Sequence, residues 1–466
     1  MRKENDALGD ADIDPDVLWG IHTERALKNF ALSDRRVPYA LVAAFAMVKH
    51  AAALTNGELG YLPKNIAEAI GAACAKICEN KKEYASAFPL DALQGGAGTS
   101  LNMNVNEVVA NSALNATGHK AGDYDVIHPL DHVNLHQSTN DVYPTALRIA
   151  AISGFRALND ALAKLQGAFQ AKEKEFHDVL KMGRTELQPA VPMTLGQEFS
   201  AFSEAVARDR WRTFKCEERL RMVNLGGTAI GTGLTAPRAY IFRVIEILRS
   251  LTGMGLARSE NVVDGTANAD VFVEVSGILK AAATTMAKIA GDLRLLHFLG
   301  EIALPPLQAG SSIMPGKVNP VMMESTMQAS LVVRANDFMI AECAAHGTLQ
   351  INEFMPLIAS ALLESIDLLK NSALVLTPHI EGITANADRC RTFVENSPSL
   401  LTALLPHIGY ERARLLMKEF SRAKEKNFEV NLKSFLAEKL GGDLADAVMS
   451  TANFIGLGYV ERERKE

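Results

Sequence analysis

Residues 271–299 read VFVEVSGILKAAATTMAKIAGDLRLLHFL, with apolar side chains at Val271, Val275, Ile278, Ala282, Met286, Ile289, Leu293 and Leu296. The steps are three and four throughout, so the stretch predicts one continuous helix, about 40 Å long at ~1.5 Å per residue. Val273, Leu279, Ala283 and Leu295 carry apolar surface round to other faces. A helix apolar nearly all round is expected to be enclosed by other helices, some of them from other subunits.

Similar long patterns cover residues 150–180, 195–222, 321–345 and 357–376. Five such helices point to an all-α chain built on an elongated bundle. The part before about residue 130 reads as shorter helices and turns. The part after about residue 385 reads as short helices broken at Ser397-Pro398 and Leu405-Pro406.

Composition narrows the function classes. The 466 residues are 48% hydrophobic and 22% charged, with a formal net charge of -6. That balance fits a globular protein and gives no basic run for nucleic acid. The opening MRKENDALGD lacks the apolar core of a signal peptide. The longest apolar run, from Tyr39, is interrupted by Lys49, so no membrane span is expected. Five cysteines are too few for a disulfide framework and suit a reduced, cytoplasmic protein. Cys74 and Cys78 lie four apart with no second pair to complete a metal site. His128, His132 and His136 also recur at steps of four, but Pro129 interrupts them, and no metal centre is expected.

Four polar islands depart from the helical pattern: GGAGTSLNMNVN (95–106), HQSTNDVYPT (136–145), GRTELQ (183–188) and GSSIMPGKVNP (310–320). The last carries two glycines and two prolines and reads as a loop. NMNVN could be a set of turns, and STND a helix cap. Together the islands offer neutral hydroxyls and amides plus Lys317, with few carboxylates. Such a donor set suits a small dianion. The glycine-rich pieces 94–100 and 224–233 lack the context of a dinucleotide fold or P-loop, and no cofactor is implied.

These islands, in the same order as GTSLNMNVNE, QSTNDVYPTA, GRTELQ followed by AVPMTLGQEF, GSSIMPGKVNP and EGITAN (381–386), resemble the motifs of the aspartase/fumarase superfamily. The resemblance runs over essentially the whole chain. The Thr-Asn-Asp-Val form within 139–142 resembles the aspartate ammonia-lyases more than the fumarases. It implies an all-α fold of three domains: a mainly helical N-terminal domain (1–130), a central long-helix bundle (131–390) and a small helical C-terminal domain (391–466). It also implies a homotetramer with a twenty-helix core and active sites shared between three subunits.

The implied reaction removes ammonia from aspartate to give fumarate. By the resemblance, Ser311 is the base. Thr99, Ser138, Thr139 and Ser312 hold the carboxylate that gains charge. Thr185, Lys317 and Asn319 bind the α-carboxylate, and Asn140 contacts the amino group. A serine oxyanion needs local stabilisation, which backbone N–H groups of a glycine-flanked loop and Lys317 can supply.

Three departures stand out. Glu186 occupies a position where relatives have His or Gln, and an ionised Glu cannot donate a hydrogen bond. It would then be protonated, or turned toward Lys317 or the substrate ammonium, where it either assists the amine's departure or only supports the residues that touch substrate. A Ser-Gly-Pro-Arg-type segment expected before the Glu301-Ile302 pair is missing, and GTLQINEFMP (347–356) also differs. These departures leave a fumarate hydratase, or a lyase for a modified aspartate, as the alternatives.

Overall fold

The computed structural model describes residues 1–428, 430–448 and 458. Hairpin β1 (Arg2–Asp6) and β2 (Gly9–Ile13) precedes helices α1 (Ile21–Asn29), α2 (Tyr39–Glu58), α3 (Lys64–Glu79) and the turn α4 (Lys81–Tyr84). Next come α5 (Thr99–Ala116) and the long α6 (Thr139–Glu175). Hairpin β3 (Leu180–Thr185) and β4 (Gln188–Thr194) leads into α7 (Leu195–Leu220). After β5 (Met222–Val223) follow α8 (Arg238–Thr252), β6 (Ala257–Arg258), α9 (Val262–Ala267), α10 (Asp270–Leu299) and β7 (Ile302–Ala303). Helices α11 (Val321–Ala345) and α12 (Met355–Glu381) complete the long set, followed by β8 (Thr384–Ala385) and short C-terminal helices. The described strands form only two-stranded sheets, so the chain is all-α in class.

The expected stripe on α10 is buried at Val275, Ala282, Met286, Ile289, Leu293 and Leu296. The expectations for 195–222 and 321–345 match α7 and α11 closely. The expected 150–180 helix begins earlier and ends sooner, because its tail turns into β3. Helix α2 is long and apolar enough to span a membrane, yet 67% of that window is buried in the fold. Lys49, which interrupts its apolar run, is wholly buried.

Two polar islands expected outside helices lie largely within them. Thr99 opens α5 and Thr139 opens α6. The asparagines at 102, 104 and 106 are buried, and their Nδ2 groups donate to distant partners that local composition does not reveal. Pro144 sits inside α6 and lacks the N–H that would bond Asn140 O. That carbonyl instead accepts a bond from Asn224 Nδ2 at 3.0 Å, so the helix continues.

The chain divides into two compact units. The first comprises Met1–Asp160, Trp211–Ala283 and Ala329–Lys370; the second comprises Ala161–Arg210, Thr284–Gln328 and Asn371–Glu466. In the first, α2 packs on α3, α5 and α8. Phe45 and Tyr143 meet edge to face at 5.2 Å in its core. In the second, Phe169, Phe176, Phe199 and Phe202 form one aromatic cluster. A separate apolar cluster joins Met182 of β3 to Leu400, Phe420 and Phe435.

Candidate active site

Four of the site residues expected from sequence lie in the first unit: Thr99, Ser138, Thr139 and Asn140. The chain reaches Thr99 through Gly96, Ala97 and Gly98, all with positive φ. A Cβ on Gly98 would meet the Tyr143 ring at 2.2 Å, so only glycine lets the start of α5 approach the first turns of α6. Two helix N-termini, with their positive dipole ends, thus belong to the two donor-rich segments. Thr99 Oγ1 donates to Gly96 O at 2.7 Å. Ser138 Oγ accepts from Asn140 N at 3.3 Å, which leaves its own proton free to donate. Asn140 Nδ2 donates to Ala229 O at 2.7 Å, leaving Oδ1 as the acceptor an ammonium requires. A cavity of about 420 Å³ opens beside Thr99, lined also by Asp6, His22, Arg25, Gly96 and Ser100.

Beneath these residues lies a buried polar layer that sequence reading misses. Asp141 caps α6 by accepting from Ser138 N at 3.0 Å. It also holds Gly226 N (3.0 Å) and Thr228 N (2.9 Å). Burial pushes its carboxyl up to about 6 against these three donors. Glu107, the last residue of GTSLNMNVNE, accepts from Gly20, His22 and Thr23 amides and from Thr23 Oγ1, capping α1. The only local sign of this is a Glu among buried helix positions.

The other six expected residues lie in the second unit. Thr185 and Glu186 stand at the tip of the β3–β4 hairpin, where Thr185 pairs with Gln188. Glu186 (φ 52°) and Leu187 (φ 62°) form the two-residue turn, both in the left-handed region. Glu186 is exposed and makes no ion pair with Lys317 or any other described residue. Two residues earlier in the same motif, Arg184 reaches the wholly buried Glu301 at 2.8 Å, and Lys181 reaches it at 3.2 Å. These contacts are ion pairs rather than aligned hydrogen bonds. Lys181 also pairs with Glu198. The Glu301 that follows the shortened segment therefore anchors the hairpin. Asn386 of EGITAN bonds Glu301 O through its own N–H at 2.9 Å.

The 310–320 segment is a loop, as its composition predicts. Gly310 N donates to Lys317 O at 2.7 Å, and Asn319 Nδ2 donates to Gly310 O at 2.9 Å, closing its base. Within it, Ser311 Oγ accepts from Ile313 N at 3.2 Å and from Met314 N at 2.9 Å. Two backbone donors therefore converge on the hydroxyl expected to act as base. Ser312 and Lys317 are exposed, while Ser311 and Asn319 are half-buried.

The histidines at 128 and 132 act as caps. His128 Nδ1 accepts from Leu130 N and Asp131 N, and His132 Nδ1 accepts from His128 N, around a π-helical turn at Pro129–Val133. Among the described residues no group of three or more His, Cys, Asp or Glu side chains is placed to hold a metal ion.

Comparison with known proteins fixes the family. The model of a family described as lyase matches residues 9–335. Aspartate ammonia-lyase of Pseudomonas aeruginosa is 47% identical over 428 residues, 90% of each chain. The Escherichia coli K12 enzyme of that name is 45% identical over 426 residues, covering 90% of this chain and 89% of its own.

The chain belongs to the aspartase/fumarase superfamily.

Solved structures of aspartase/fumarase proteins share its architecture. A fumarate lyase:delta crystallin from Brucella melitensis, bound to cobalt, superposes with a TM-score of 0.93 at 44% identity. The match covers 98% of this chain and 100% of that one. A class II fumarase from Schistosoma mansoni gives a TM-score of 0.89 at 31% identity, covering 97% and 99%. The superfamily fold is thus common to both chemistries, and the site must discriminate between them.

Proposed function

We infer that the chain is an aspartate ammonia-lyase, converting L-aspartate reversibly to fumarate and ammonia. The observation that carries this reading is 43–47% identity with aspartate ammonia-lyases from three bacteria along at least nine tenths of the chain.

The difficult step is loss of a proton from the carbon beside the side-chain carboxylate. It places a second negative charge on that group, giving an aci-carboxylate. Preorganised donors that meet this charge supply the largest catalytic term. Thr99, Ser138, Thr139 and Ser312 take that role, with Thr99 exchanging its bond to Gly96 O for one to substrate. Thr185, Lys317 and Asn319 bind the α-carboxylate. Asn140 offers Oδ1 to the amino group.

Ser311 takes the proton. The amides of Ile313 and Met314 lower the cost of its oxyanion before substrate arrives, and Lys317 in the same loop adds positive charge. Closure of the loop over substrate would exclude water. Glu186 attends the departing amine from the hairpin tip.

The functional unit is a homotetramer whose active sites each draw on three subunits, in a chain of three domains acting in the cytoplasm on a small dicarboxylate. Exposure of Trp211, Phe214, Phe298, Leu331 and Phe338 on long helices supports further helices packing there in the assembly.

The test is formation of fumarate, followed by ultraviolet absorbance, with L-aspartate, malate and N-substituted aspartates supplied separately. Turnover of aspartate alone is expected. Turnover of malate would make the chain a fumarate hydratase, and preference for a substituted amine would make it a lyase for a modified aspartate.

A further inference from the structure

Lys49 is the one lysine in the apolar run of α2, and its side chain is wholly buried. Its Nζ donates to Asn102 Oδ1 at 2.7 Å and to Asn134 Oδ1 at 2.8 Å. Asn134 Oδ1 also accepts from Asn102 Nδ2 and Asn106 Nδ2, both at 3.2 Å. Asn134 Nδ2 donates to Gln137 O at 3.3 Å. The ammonium therefore sits at a node. One arm holds the first turns of α5, which begins at Thr99. The other holds the segment that ends at Gln137, immediately before Ser138, Thr139 and Asn140.

Burial pulls the ammonium down to about 7, although Asp141 opposes the shift. A buried charge of this kind is costly, and apolar residues of similar volume are often at least as stable. Stability alone is thus a weak reason for Lys49, whereas geometry offers a strong one. The two segments it joins carry Thr99 on one side and Ser138–Asn140 on the other, and a displacement of about 1 Å between such groups can cost about 100-fold in rate.

We propose that Lys49 is a positioning residue for catalysis: through Asn102 and Asn134 it fixes the start of α5 against the Ser138–Asn140 segment, setting the spacing of the groups that hold the substrate carboxylate. The inference rests on the aspartate reading of that site. Lys49 itself touches no substrate, and its role is to hold others in place.

Removing the ammonium alone leaves Asn102 Oδ1 buried without its donor, while Asn134 Oδ1 keeps its two amide donors, so Lys49→Met is compared with Lys49→Met/Asn102→Leu, which removes both members of the closest pair. Each is examined for thermal unfolding, assembly mass, and kcat and KM on L-aspartate. The double variant is expected to fold and assemble as the wild type does, with kcat/KM lowered about 100-fold. Much of the loss should appear in KM, because the displaced hydroxyls also bind the ground state. A double variant of wild-type stability and wild-type KM and kcat overturns the proposal. So does a loss of activity in both variants that only tracks the fraction unfolded. The two possible failures are separable. A wild-type chain that leaves aspartate untouched overturns the functional reading, whereas an active wild type with an equally active double variant overturns the role of Lys49.

Discussion

The Met314 amide points at the Ser311 hydroxyl oxygen from 2.9 Å, and the Ile313 amide joins it from 3.2 Å. A hydroxyl that accepts two backbone hydrogen bonds is already solvated as an oxyanion would need to be. Ser311→Ala is therefore expected to leave the melting temperature unchanged and to lower kcat by about 10³-fold or more. Gly310 supplies a second test of the same loop. A Cβ there would stand 2.8 Å from Lys317 O and 2.9 Å from Asn319 N, both backbone atoms that cannot rotate away. Gly310→Ala should open the base of the loop and lower kcat while the rest of the fold persists. Near-wild-type kcat in Ser311→Ala would remove serine from the mechanism.

Glu301 is the buried counter-charge for Arg184 and Lys181, with its side chain 0% exposed and theirs 15% and 3%. Taking away that charge leaves Arg184 without its carboxylate and Lys181 with Glu198 alone, and breaking a buried pair in this way costs about 3–5 kcal/mol. Glu301→Gln should lower the denaturation midpoint accordingly. Adding Arg184→Met should restore part of the loss, because fewer charges are then uncompensated. A single variant as stable as wild type would show that the pair is solvated enough to be dispensable.

The long helices are legible because their signal is local. The stripe on α10 and the spans of α7 and α11 follow from spacing alone. The hairpins are not legible, because RKEND and GDADI in β1 and β2 have no clean alternation and pair only with each other. The asparagines after Thr99 read as turns because polar residues rarely fill a helix interior. Their partners, Lys49 and Asn134, lie 53 and 28–32 residues away. Lys49 itself reads as a mere interruption of an apolar run. In the 310–320 loop, by contrast, glycines and prolines announce a backbone able to turn its amides inward. Composition thus locates the donors of the site, while the layer that holds them in register depends on long-range contacts.

Glu107 gives the fold a predictable response to pH. Burial pushes its carboxyl from the ordinary 4.5 up to about 7, outweighing the bonds from Thr23, Gly20 and His22. Between those values the native chain holds a proton that the unfolded chain has lost. Its contribution to stability is thus complete below about pH 4.5 and is lost as pH rises toward 7, by an order of ~3 kcal/mol. Other groups titrate over the same range, so the comparison is with Glu107→Gln. The stability of wild type relative to that variant should fall between about pH 4.5 and pH 7 in denaturant unfolding. A constant difference would mean that the four donors keep Glu107 ionised throughout.

Glu186 and Leu187 form a turn whose backbone favours Asn-Gly, since both residues have positive φ. Placing ordinary side chains in this region costs about 1–2 kcal/mol per residue. Leu187→Gly should accordingly stabilise the hairpin by roughly 1 kcal/mol and leave turnover of aspartate intact. Glu186→Gln keeps the shape and removes the charge. If the carboxylate assists the departing amine, that variant should lose about 100-fold in kcat, with its pH profile altered and KM little changed. An unchanged rate and profile would leave Glu186 a surface residue of the turn. A fall in kcat for Leu187→Gly as large as that for Glu186→Gln would assign the effect to turn geometry instead. The two substitutions, one residue apart, separate the charge at the hairpin tip from the backbone that presents it.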